Sequence, residues 1–227
     1  MSVTSEEARK SFHDDLDDLR TDVIRLAALV TESIGAGTQA LLDADLAAAE
    51  RLIVRDDVID DLNHAIEDRC YLLLATQQPV ASDLRVIVTT LRVIHELERS
   101  GDLMVNVAKS TRRLYPHSLD PKIRGILDQM GEQAANQTRL ALDAFADADP
   151  SAAAALSDMD DVMDDLTKSL FRAILGSHTT SELDEATLQQ AVQVALIGRH
   201  YERIADHAVT IAQRVRFMVT GIHPQIH

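Results

Sequence analysis

Apolar residues recur every three or four positions along almost the whole chain, the spacing that puts them on one face of an α-helix. The pattern is interrupted at only a few places. A short acidic turn at Asp43–Asp45 ends a first helix of about residues 8–42. Residues 77–81, with Pro79, separate a second helix from a third, and residues 115–121, with Pro116 and Pro121, close the third at the chain's midpoint. The turn recurs at Asp147–Pro150, where Pro150 suits a first helical position. Residues 176–181 then separate a fifth helix from a sixth. Six long helices, grouped three and three, are predicted. Helices joined by short connections bury their apolar stripes against antiparallel neighbours. The fold class expected is therefore all-α, as two tandem, pseudo-symmetric three-helix bundles spanning residues 1–115 and 116–227.

An internal repeat supports this division. Residues 43–110 and 147–214 align without a gap at an offset of 104 and are identical at 20 of 68 positions. The identities gather in the two turns and in acidic segments: DDVIDDL at 56–62 against DDVMDDL at 160–166, and ERSGD at 98–102 against ERIAD at 202–206. The competing reading, one irregular helical domain rich in Ala and Asp, does not account for gapless clusters.

Composition agrees with helices. Gly (8), Pro (5) and aromatic residues (3%) are scarce, while Ala, Leu, Asp and Arg abound. The net charge of −15 opposes nucleic-acid binding and contact with anionic lipid. It suits cation sites or a partner with a basic surface. Cys70 stands alone, so neither an internal disulfide nor a CxxC site exists. The N-terminal stretch has no apolar signal core, and no run approaches the roughly 20 residues that cross a bilayer. A cytoplasmic protein is expected.

The acidic segments carry the candidate chemistry. Carboxylates four residues apart stack on one helix face and repel one another. In the predicted third helix, Leu84, Ile87, Leu91, Ile94 and Val105 define an apolar stripe; Glu98 falls on it and Asp102 at its edge. In the sixth, Leu188, Ala191, Ala195 and Val209 define the equivalent stripe, with Glu202 on it and Asp206 beside it. In the second helix, Asp56 and Asp60 flank the Ile59/Leu62/Ile66/Leu73 stripe, while Asp57 and Asp61 point outward. Asp56 and Asp60 are thus expected to meet Glu98 and Asp102, and Asp160 and Asp164 to meet Glu202 and Asp206. Such oxygen-only sets suit hard cations, namely Mg²⁺, Ca²⁺, Mn²⁺ or iron, with Zn²⁺ less specific. Asn106 extends the Glu98–Asp102 row by one turn as a weaker ligand; its counterpart Thr210 is poorer still. The bland alternative is that Arg99, Arg203, Arg85 and Arg92 neutralise the acids, or that they form solvated faces.

Other chemistries are excluded or unsupported. No Glu is followed by His three residues later, which argues against a ferritin-like di-iron centre. His95 and His200 flank the acidic rows without being repeat-equivalent, and His223 and His227 fall in a short tail. No phosphate-binding Gly-rich loop, nucleophile elbow or Cys–His or Ser–His pairing offers itself, so no catalytic residue is proposed.

QQPVASDLR (77–85), ELERSGD (96–102) and YERIADHAVTIA (201–212) resemble the PhoU family of bacterial phosphate-signalling regulators, over nearly the whole chain. The pairs Asp56/Asp60 and Asp160/Asp164 fall where that family carries its other acidic motif. The resemblance implies a non-enzymatic cytoplasmic regulator that helps keep the phosphate-starvation response off when phosphate is plentiful. It implies action between the ATPase subunit of a phosphate ABC transporter and a phosphate-sensing histidine kinase. It further implies metal, iron first, at the acidic motifs, and a homodimer. Thr210 in place of an Asn, and Leu103 in place of a His or small polar residue after Asp102, depart from the family pattern and suggest unequal halves. A metal-dependent phosphohydrolase or a metal-storage bundle using the same carboxylates is the alternative function. A purely structural bundle without metal is the third reading.

Overall fold

A computed structural model describes residues 5–116, 118–177 and 184–222. Every regular element among them is helical: α1 (Ser5–Leu42), α2 (Leu46–Gln77), α3 (Ala81–Leu114), α4 (Pro121–Ala146), α5 (Pro150–Ala155), α6 (Asp160–Ser177) and α7 (Glu185–Thr220), with a 3-10 turn at Leu156–Met159 between α5 and α6. The all-α class and the three-helix grouping hold. The count of six does not, because the predicted fifth helix is broken into α5, the 3-10 turn and α6. Its counterpart α2 runs unbroken. Ser157 and Asp158 stand where α2 has Ile53 and Val54. The break expected near residues 176–181 falls largely outside the described residues, as do His223 and His227.

The repeated acidic turn has the same geometry in both halves. Ala44 (φ 52°) and Ala148 (φ 49°) are left-handed. Asp45 N–H then reaches back to the Ala40 carbonyl, and Asp149 N–H to that of Ala144, each at 2.9 Å, satisfying carbonyls at the preceding helix end. Asp45 caps α2 by accepting from Ala48 N–H at 2.9 Å, and Asp149 caps α5 by accepting from Ser151 and Ala152 N–H. The DAD repeat is therefore a helix stop followed by a helix start.

Helices α1–α3 pack on one another, as do α4–α7, and the two groups join through α3 against α7 and α1 against α4. One continuous core results, from Leu19 and Leu26 through Leu97 and Met104 to Met130, Ile204 and Ile211. The joint is tight. A methyl group on Gly131 of α4 would collide with the Thr38 side chain of α1. Thr38 in turn hydrogen-bonds the fully buried Tyr201 hydroxyl of α7 at 2.8 Å. Glu96 of α3 and His207 of α7 meet at 2.5 Å, both side chains mostly buried. Arg85 Nε donates to the Met218 carbonyl at 3.2 Å, tying the start of α3 to the end of α7.

Candidate functional site

The second helix is phased as expected: Asp56 and Asp60 are half-buried, and Asp57 and Asp61 are exposed. The stripes drawn on α3 and α7 need rotating. Leu84 and Leu188 are 40% and 54% exposed, whereas Val93, Leu97, Met104 and Ala108 of α3 and Ile197, Tyr201, Ile204 and Ala208 of α7 are buried. Each of these helices packs against several neighbours and one another, which widens its buried arc and moves its centre. Glu98 and Glu202 therefore sit on the border of that arc rather than at its middle, with side chains 26% and 20% exposed. Asp102, Asn106, Asp164 and Asp206 are exposed. The side chain of Asp160 lies outside the described residues.

In the first half, the four predicted carboxylates converge electrostatically. Burial, together with the charges of Asp60, Asp102 and Glu98, pushes the Asp56 carboxyl up to about 6, and Lys109 offsets little of this. Burial and the charges of Asp102 and Asp60 likewise raise Glu98. Gly101 of α3 faces Asp56 across the α2–α3 contact, where a Cβ would stand 3.4 Å from Asp56 Oδ1, an ordinary van der Waals separation. A cleft of about 280 Å³ continues from this cluster, lined by Asp60, Asn63, His64, Glu67, His95 and Glu98. Asn63 lines it with a buried Oδ1 that has no hydrogen-bond partner. His64 sets Nδ1 2.8 Å from the Asp60 carbonyl, an anchoring that metal-binding imidazoles commonly use. Among the described residues no three His, Cys, Asp or Glu side chains already stand close enough to grip one ion. The donor chemistry nevertheless fits a hard cation: repelling carboxylates, an orphaned amide oxygen and room beside them.

The second half is arranged differently. Arg199 Nη1 lies 2.6 Å from Glu202 Oε2, and the charge of Asp206 adds to that of Glu202 in holding the Arg199 guanidinium protonated. Lys168 pairs with Asp165 at 3.1 Å and also responds to Asp164 and Asp161. The ion pairs of this half come from Arg199, three residues before Glu202, and Lys168, three after Asp165; of the anticipated cations, Arg99 acts on Glu98 in the first half, where its charge works against the rise of that carboxyl. Sequence reasoning also missed the Glu96–His207 pair, since nothing in a linear pattern says that α3 and α7 touch at those rungs. Burial alone would raise the Glu96 carboxyl, but the His207 hydrogen bond and charge, with His95 and Arg214, hold it below its ordinary value. His200 is half-buried, and burial followed by the charge of Arg203 depresses its basicity. Burial also pushes the Cys70 thiol up to about 12, which makes it an unreactive core residue.

These features define a class: a duplicated α-helical bundle with an acidic cluster on its α2–α3 seam. The family described as "PhoU domain" matches twice, at residues 23–111 and 127–215. A phosphate-specific transport system accessory protein, PhoU homolog 2, of Mycobacterium tuberculosis is 36% identical over 217 residues, covering 95% of this chain and 100% of its own. The corresponding protein of Rhizobium meliloti is 31% identical, over 95% and 90%. The crystal structure of PhoU from Pseudomonas aeruginosa superposes with a TM-score of 0.86 at 30% identity, covering 93% of this chain and all of the other. That of the phosphate transport system regulatory protein PhoU from Streptococcus pneumoniae gives 0.86 at 29% identity, over 95% and 100%. The chain belongs to the PhoU family.

Proposed function

We propose that this protein regulates inorganic phosphate uptake and phosphate-starvation signalling, as a negative regulator that adapts a phosphate ABC transporter to a sensor histidine kinase. The observation that carries the reading is the end-to-end match, in both halves, to proteins named as accessory and regulatory components of phosphate transport. No helix among the described residues is long and apolar enough to cross a membrane; the family resemblance supports the transporter's ATPase subunit as the point of contact. Control of either partner requires different affinity for its active and inactive states. A cation at Asp56, Asp60, Glu98 and Asp102 would relieve their repulsion and set the spacing of α2 and α3, with iron or another hard metal as the ion. Homodimers would present two such faces at once.

Pull-down with tagged protein from cells grown with and without phosphate tests the reading. Recovery of the transporter ATPase or the kinase, with derepressed phosphate-starvation transcription on deletion, is the expected result. Neither association nor any transcriptional change on deletion would overturn it.

A further inference from the structure

The two carboxylate clusters are repeat-related, yet their cationic neighbours are not the same. In the first half the cleft beside Asp60 and Glu98 carries His64 and His95. Adding the repeat offset of 104 turns these into Lys168 and Arg199. The change replaces two imidazoles, which can ligate a metal when neutral, by two side chains that stay charged and cannot. Its structural result is visible at the glutamates. His95 Nδ1 stands 3.9 Å from Glu98 Oε2, beyond hydrogen-bond reach, while Arg199 closes on Glu202 at 2.6 Å. The cleft also loses a carboxylate, because Glu67 becomes Phe171, which is exposed. Asn63 becomes Thr167, whose buried hydroxyl also has no partner. A hydroxyl is a weaker ligand for a hard cation than an amide carbonyl, so it does not restore the set.

We infer that Arg199, supported by Lys168, is a built-in counter-cation that closes the second carboxylate cluster, so that this chain takes metal only in its first half. The inference rests on the proposed cation site at Asp56, Asp60, Glu98 and Asp102. In physical terms, a metal entering the second cluster must displace a guanidinium that already neutralises Glu202 and would remain a like charge next to the ion. In the first cluster the repulsion is offset at longer range, with His95 standing 3.9 Å from Glu98. The halves of a duplicated protein thereby divide: one responds to metal, and in the other Glu202 is already paired with Arg199.

Mn²⁺ is the probe, with bound ion counted by electron paramagnetic resonance and by elemental analysis after dialysis. Circular dichroism confirms that each variant folds, and thermal melting with and without Mn²⁺ gives a second readout. The expected pattern is that Glu98→Gln weakens Mn²⁺ binding at least tenfold, that Glu202→Gln leaves count and affinity unchanged, and that Lys168→His/Arg199→His binds additional Mn²⁺. That double variant should also gain a larger Mn²⁺-induced rise in melting temperature than the parent. A fall in bound Mn²⁺ in Glu202→Gln, or no gain in the double variant while the parent binds, overturns this inference and leaves the first-half site standing. Absence of Mn²⁺ binding in the parent and in every variant overturns the cation site itself and this inference with it.

Discussion

Removing the charge at Asp56 should stabilise the metal-free protein. Asp56 is half-buried on α2 and faces the charges of Asp60, Asp102 and Glu98, which with burial raise its carboxyl from 3.8 to about 6. The folded state thus holds this proton more tightly than the unfolded chain. Well below 3.8 the carboxyl is protonated in both states and no penalty exists. As pH rises towards 6 the unfolded chain ionises freely while the folded one resists, and above 6 the whole penalty is present. At 1.36 kcal/mol for each tenfold change, the displacement corresponds to about 3 kcal/mol. Solvent screens a half-buried carboxylate, which reduces this to about 1–2 kcal/mol. Asp56→Asn, nearly isosteric and of similar helix propensity, should gain that amount at pH 7.5 in EDTA. For a chain of this size the gain is a rise in melting temperature of about 3–6 °C. At about pH 3 the advantage should fall to near zero. Urea denaturation at both pH values gives the same comparison by a second route. With a saturating hard cation the order should reverse at pH 7.5, because the variant lacks a ligand. A variant no more stable than the parent at pH 7.5, or one whose effect is the same at both pH values, would refute the electrostatic reasoning.

Other consequences can be measured on the same footing. Gly131→Ala drives a methyl into Thr38 at the joint between the halves and should cost about 1–3 kcal/mol by denaturant titration; Tyr201→Phe, which removes only the 2.8 Å bond to Thr38, should cost about 1 kcal/mol. Glu96→Gln should cost about 1.5–3 kcal/mol at pH 7, the worth of a hydrogen bond to a charged group. The folded Glu96 carboxyl is depressed, so its stabilisation is present above about pH 4.5 and disappears as pH falls through the folded value; parent and variant melts should converge under acid. Asp45→Ala removes the α2 cap to Ala48 N–H and should cost about 1 kcal/mol in a chemical melt.

The amino-acid sequence by itself determined most of what is local. Apolar spacing fixes the helices because each must bury one face, and the two DAD turns break them where a left-handed residue and an Asp cap can follow one another. Helical phase alone separates Asp56 and Asp60 from Asp57 and Asp61, since a step of about 100° turns neighbours apart. The split between α5 and α6 was less legible: Ser157 and Asp158 weaken a helix without forbidding one. What only the tertiary structure decided depends on which helices meet. The wide buried arcs of α3 and α7 moved Glu98 and Glu202 from mid-stripe to the border. The pairing of Glu96 with His207 required knowing that α3 lies on α7 at that rung. The difference between the two acidic clusters is the sharpest case, because the carboxylates repeat almost unchanged while His95 and Arg199 do not. Whether an acid is left repelling its neighbours or is neutralised depends on a distance of a few ångströms to the nearest cation. Periodicity places that cation on a helix face, and only packing brings it within reach.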